Sequence, residues 1–108
     1  MQVQILVACS RGPSLRRAIG SDATLETKYG LTVTEQQRAG RLHGWAKVYS
    51  HPYDTYGAIN LHWDPHAGLL VGRVVTRNRN KPGPLIGKFV GYLMTKYASR
   101  IHSITIVP

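Results

Sequence analysis

At Pro82-Gly83-Pro84 the hydrophobic period of this chain changes from two to nearly four. Upstream, from residue 41 to residue 77, apolar residues fall into runs of strand length separated by turn-forming residues. Successive side chains of a strand point to opposite faces, so each run offers one face to a core. Downstream, Ile86, Val90, Leu93 and Tyr97 recur at spacings of 4, 3 and 4, with Leu85 and Phe89 beside them. That spacing makes the apolar stripe of an amphipathic helix over residues 84–99. A half-apolar sheet and a striped helix must each bury one side, and the simplest solution lays the helix on the sheet.

The punctuation supports this division. Residues 41–50 and 58–64 read as strands joined by the turn-rich loop Ser50-His51-Pro52-Tyr53-Asp54-Thr55-Tyr56-Gly57. Asp64-Pro65-His66-Ala67-Gly68 suits a tight hairpin, because proline presets the first turn position and glycine accepts positive φ at the exit. Residues 69–77 form the next strand, completing an antiparallel meander. Residues 2–9 alternate as a strand, and 103–107 as another. Ser14 caps a short helix over residues 14–19 that stops at Gly20. Between 22 and 40, Thr32-Val33-Thr34 favours strand and Glu35-Gln36-Gln37-Arg38-Ala39 favours helix. The 69–77 strand, the helix and the last strand have the length of a crossover that would set those two strands parallel. The expected fold is therefore one α+β domain spanning residues 1–108. It has a mixed, mainly antiparallel sheet of four or five strands, with one long C-terminal helix packed on one face.

Two glycines, Gly87 and Gly91, lie four apart in that helix. Each costs about 1 kcal/mol against alanine in a helix interior, which implies a close neighbour, either the protein's own sheet or a second copy. A homodimer is expected on this basis.

Charge narrows the function. The 108 residues carry a net charge of +9. Residues 1–64 hold seven Lys and Arg with all five acids, whereas residues 65–108 hold seven Lys and Arg and no acid. A field of one sign concentrates anions, of which nucleic acid, RNA or DNA, is the commonest macromolecular example. Another polyanion or an acidic protein is the alternative partner. No apolar run approaches the ~20 residues of a membrane span, and a single cysteine, Cys9, allows no internal disulfide. Leu6-Val7-Ala8-Cys9 superficially resembles a lipoprotein cleavage site but lacks the basic and apolar run before it. A buried cysteine ending a strand in a cytoplasmic protein is the expectation.

The site expected from these charges lies where the meander ends. Arg77, Arg79 and Lys81 leave a strand and precede a helix N-terminus, which presents unpaired N–H groups and a partial positive charge. With Lys88 on the first turn they can hold phosphate, and Asn78 and Asn80 can reach sugar or base edges. Arg73, Lys96 and Arg100 would widen the patch. Tyr53 and Tyr56 in the polar loop could stack bases, while Trp45 and Trp63 read as core. No cofactor is implied: Gly83-Pro84-Leu85-Ile86-Gly87-Lys88-Phe89 is one residue short of a P-loop, and Phe89 stands where the magnesium-binding hydroxyl would be. No metal site is expected either, since the histidines of His62-Trp63-Asp64-Pro65-His66 flank a hairpin turn. An alternative is a metal-independent ribonuclease-like enzyme. If strands 41–50 and 58–64 pair, His43 falls opposite Asp64 and Trp45 opposite His62, so that His43 or His62 could move a proton.

Overall fold

The computed structural model describes residues 2–36, 45–50, 57–76 and 81–108. In chain order these form β1 (Gln2–Cys9), α1 (Leu15–Gly20), α2 (Thr24–Tyr29), β2 (Leu31–Gln36), β3 (Trp45–Ser50), β4 (Ala58–Asp64), β5 (Leu69–Val75), α3 (Gly83–Lys96) and β6 (Ile101–Val107), with a 3₁₀ turn at Ala98–Arg100. The six strands make one sheet in the order β2-β3-β4-β5-β1-β6.

The protein is α+β, as its two periods require, but the sheet has six strands and every ladder is antiparallel. The expected parallel crossover is half present. β5 and β6 run in the same direction, because each is antiparallel to β1, yet β1 lies between them and takes both ladders. Alternation along Val3, Ile5 and Val7 reveals a buried face; it carries no information about which strands flank it.

The second difference falls in residues 22–40. A helix forms earlier than expected, over Thr24–Tyr29, and Gly30 closes it in the left-handed conformation at φ 65°. Glu35 and Gln36, expected in a helix, extend β2 instead, so pairing with Ala46 and Trp45 overrides their helical propensity. Residues 37–39 of that expected helix, and 41–44 of the expected strand, lie outside the described residues. Two local signals act as read, while β5 ends at Val75 rather than 77, α3 at Lys96 rather than 99, and β6 begins at Ile101 rather than 103. Ser14 accepts a hydrogen bond from the Arg17 amide at 3.2 Å, and Gly68 turns the β4–β5 hairpin at φ 60°. α3 starts one residue early, at Gly83, with Pro84 in the first turn, where a missing N–H costs no helical bond.

One core holds these elements together. Ile5, Val7, Val48, Ile59, Leu61, Leu70 and Val74 line one side of the sheet, and Leu15, Ile19, Leu25, Leu85, Phe89, Tyr92 and Leu93 meet them from the helices. Burying each such side chain stabilises the fold by about 1.5–3 kcal/mol. Trp63 belongs to this core, as expected. Gly72 sits at its centre, where a Cβ would lie 3.0 Å from Ile59 Cγ2, so glycine lets Ile5, Ile59 and Leu61 close up.

Candidate nucleic-acid interface

Because the strands alternate, the residues between the core positions form a second face, and no described helix covers it. Register assembles them into rows. Thr34 stands opposite Lys47, Lys47 opposite Asn60, Asn60 opposite Arg73, and Arg73 opposite Gln4. This polar row crosses five strands, with Lys47 and Arg73 rooted roughly 10 Å apart at two strand spacings. Tyr49 lies in the next row, its ring 6.0 Å from Lys47 Nζ and its hydroxyl 3.3 Å from Thr34 Oγ1. On the other side His62, Val71 and Leu6 form a row of their own. The open-face residues Asn60, His62, Val71 and Arg73 line a hollow of about 270 Å³. Asp64 is the one carboxylate among the described side chains of this face. Its Oδ1 accepts hydrogen bonds from the His66 and Ala67 amides at 3.0 and 3.2 Å, holding the hairpin.

At one end of the sheet the described chain leads into two segments that carry expected binding residues. Ala58, which opens β4, pairs with Val75, which closes β5. Gly57 adjoins the same strand end: at φ 97°, a Cβ on it would stand 2.3 Å from the Val75 carbonyl. The described residues that follow 51–56 and precede 77–80 thus lie side by side. Those two segments carry Tyr53 and Tyr56, and Arg77, Asn78, Arg79 and Asn80, all outside the described residues. Lys81 is exposed just before α3. Lys88 donates to Ser50 Oγ at 2.9 Å, tying α3 to the end of β3. The N-terminus of α3 has no side-chain cap and no acid in its first turn, so its own first turn does not offset its positive end.

Lys96 and Arg100 are placed otherwise. Lys96 Nζ lies 2.7 Å from Asp22 Oδ1 and 2.9 Å from Thr24 Oγ1. Asp22 also accepts from the Thr24 amide at 2.9 Å and, through Oδ2, from the buried Tyr92 hydroxyl at 2.7 Å. Burial alone would raise the Asp22 pKa, but the hydrogen bonds from Lys96, Thr24 and Tyr92 outweigh it and hold the carboxyl well below its usual range. The same contact raises Lys96, through its hydrogen bond to Asp22. Burial pushes the Tyr92 phenol far up, reinforced by its hydroxyl contacts with Tyr97 and Asp22. This cluster clamps the α1–α2 corner to α3. Arg100 donates to the Pro13 carbonyl at 2.8 Å and covers the Trp63 ring, 5.9 Å from its centroid. It lies at the hairpin end of the sheet, about 20 Å along β5 from the Val75 end. Of the expected cations, then, Arg73, Lys81 and Lys88 stand at the open face or the loop end, while Lys96 and Arg100 hold the fold.

The β3–β4 register matches the expectation that would set His43 opposite Asp64, since Ala46 faces Leu61. His43 itself lies outside the described residues, and Asp64 Oδ1 is engaged by the hairpin amides. Among the described residues no three His, Cys, Asp or Glu side chains come together as metal ligands, and no helix is long and apolar enough to cross a membrane. Cys9 ends β1 buried, its thiol 3.5 Å from the Val7 carbonyl, and burial raises its pKa. Gly87 and Gly91 do not pack on the sheet as one expectation held. Both are exposed, and a Cβ on either would meet nothing within 4 Å.

No family model, curated protein or solved structure matches this chain. Lys47, Asn60 and Gln4 are not apparent as site residues from the sequence, because only strand register brings them into line with Arg73.

Proposed function

We propose that this is a non-enzymatic nucleic-acid-binding domain whose ligand lies across the open sheet face and meets the basic segment at its end. The observation that carries the reading is the row Lys47–Asn60–Arg73–Gln4. It sets two cations and two amide side chains across a face whose one described carboxylate is tied to its own hairpin. Phosphates would be held by Lys47, Arg73 and Lys81, with Arg77 and Arg79 adding charge and Lys88 in the second turn of α3. Asn60, Asn78 and Asn80 supply donors and acceptors for sugar or base edges, and Tyr49, with Tyr53 and Tyr56, supplies rings on which bases stack. An open face lined by side chains of mixed polarity fits a single strand better than a rigid duplex, whose groove readers enter as a protruding helix or ribbon. A lone, buried thiol is compatible with a reducing compartment, and the proposed setting is the cytoplasm.

The test is the salt dependence of binding to a fluorescent single-stranded oligonucleotide of mixed sequence. Each neutralised phosphate of a single strand contributes about 0.7 to the log–log slope. Arg77→Ala with Arg79→Ala should therefore lower the slope by roughly 1.4. Absence of binding at ~50 mM salt, or an affinity indifferent to salt, would reject the proposal.

A further inference from the structure

β6 is an edge strand: it pairs with β1 on one side, and no described strand pairs with the other. Such an edge presents a row of unpaired N–H and C=O groups, the template for another strand. Proteins usually blunt long edges with lysine, inward charges, proline or a bulge. β6 carries no Lys, Arg, Asp or Glu in its seven residues, Ile101–Val107. Its one irregularity lies at the beginning, where the register shifts between Ala8 and Cys9, and from Ser103 onward the ladder is regular. Ile106 and Val107 are 46% and 41% exposed, two of the four large hydrophobic side chains left open in the described structure.

The sequence of the strand selects the occupant. In an antiparallel pair, residues directly opposite share a face. If two copies of β6 pair about a two-fold axis through Thr105, each Ile104 stands opposite the other copy's Ile106, on the helix side of both sheets. Ile104 is already packed against the core, so the pairing would carry that core across the axis and cover the exposed Ile106 from both sides. On the outward face Thr105 meets Thr105 and Ser103 meets Val107, small β-branched or hydroxyl side chains that suit a ladder. The contact is self-complementary, as an isologous two-fold interface must be.

We propose that β6 pairs antiparallel with β6 of a second copy about Thr105, joining two six-stranded sheets into one. This interface is separate from the Gly87–Gly91 strip, which faces solvent on α3, and does not depend on nucleic-acid binding. It would also double the length of the outward face.

The experiment combines light scattering with an introduced cysteine, the native Cys9 being buried. The wild-type chain should scatter as two chains at about 100 µM, where micromolar association is saturated. Thr105 is exposed, so Thr105→Cys leaves the core untouched, and mild oxidation should convert most of it into a covalent dimer. Directly opposite Cβ atoms stand ~4.5–5.5 Å apart, close to disulfide distance. Ser103→Cys, which faces Val107 rather than itself, should cross-link at least ~10-fold more slowly. Ser103→Lys with Thr105→Lys should leave the circular dichroism unchanged and shift the mass to one chain, because like charges meet across the axis. A one-chain mass for the wild type at that concentration overturns the proposal. So does a two-chain mass that survives the lysine pair, or equal cross-linking of the two cysteine variants.

Discussion

Leu61 and His62 are adjacent in β4, and they belong to opposite sides of the sheet. Leu61 is 1% exposed and touches the helices; His62 is exposed and lines the hollow on the open face. The same contrast runs along β1, β3 and β5. On the helix side the buried polar side chain among the described residues is Ser50, 3% exposed, and it receives Lys88. On the open side Lys47, Asn60, Arg73 and Gln4 stand in line with no helix above them. One face therefore carries stability, and the other is free to carry binding, because a change there removes little buried surface.

The contrast breaks most visibly under truncation. Phe89→Ala removes a fully buried ring from α3 and should cost about 3–5 kcal/mol in denaturant unfolding. Arg73→Ala on the open face should stay within about 0.5 kcal/mol. If the open-face change destabilised as much as the core change, the two faces would not be separable.

Smaller effects test the joints between the layers. Asp22→Ala leaves the Tyr92 hydroxyl and the Thr24 amide without their acceptor and should cost about 2–3 kcal/mol. Its pH dependence has a defined sign. The carboxyl pKa is lower in the folded protein than in the unfolded chain, so its contribution is fully present above the unfolded value of ~3.9 and is lost as pH falls below it. Unfolding midpoints for the wild type should drop below about pH 4, and Asp22→Asn should flatten that limb. An unchanged acid limb would remove Asp22 from the clamp. At the loop end, Gly57→Ala forces a side chain into positive φ against the Val75 carbonyl, a backbone conformation that alone costs roughly 1–3 kcal/mol. Thermal unfolding measures that loss, and a neutral result would show that the two loop anchors are not in contact.

The two faces also differ in how legible they were. Alternation along Val3, Ile5 and Val7 and along Ile59, Leu61 and Trp63 marks the core residues directly, and the helical stripe of Leu85, Phe89 and Leu93 marks what covers them. The turn chemistry of Asp64-Pro65-His66-Ala67-Gly68 was readable for the same reason: its determinants are local. What joins distant segments was not. Nothing in Lys47 or Asn60 announces Arg73 as a neighbour, since their alignment is a property of register. Lys96 and Arg100 looked like part of one basic surface, because partners 74 and 87 residues away in Asp22 and Pro13 leave no mark near them. β1 reads the same whether it is an edge or a centre, so the insertion of β1 between β5 and β6 emerges only from pairing.

The smallest energetic difference bears most directly on function. Lys47→Ala with Arg73→Ala should leave stability within about 1 kcal/mol and lower the salt slope for a single-stranded oligonucleotide by about 1.4. The most direct measurement is a titration of isotope-labelled protein with that oligonucleotide, followed by amide chemical shifts. The backbone amides of Thr34, Lys47, Tyr49, Asn60, His62 and Arg73 should move together with those of residues 77–81. Gly87, Gly91 and Met94, on the outward side of α3, should stay in place. Shifts confined to α3, or none at saturating oligonucleotide, would contradict the assignment of the open sheet face as the binding surface.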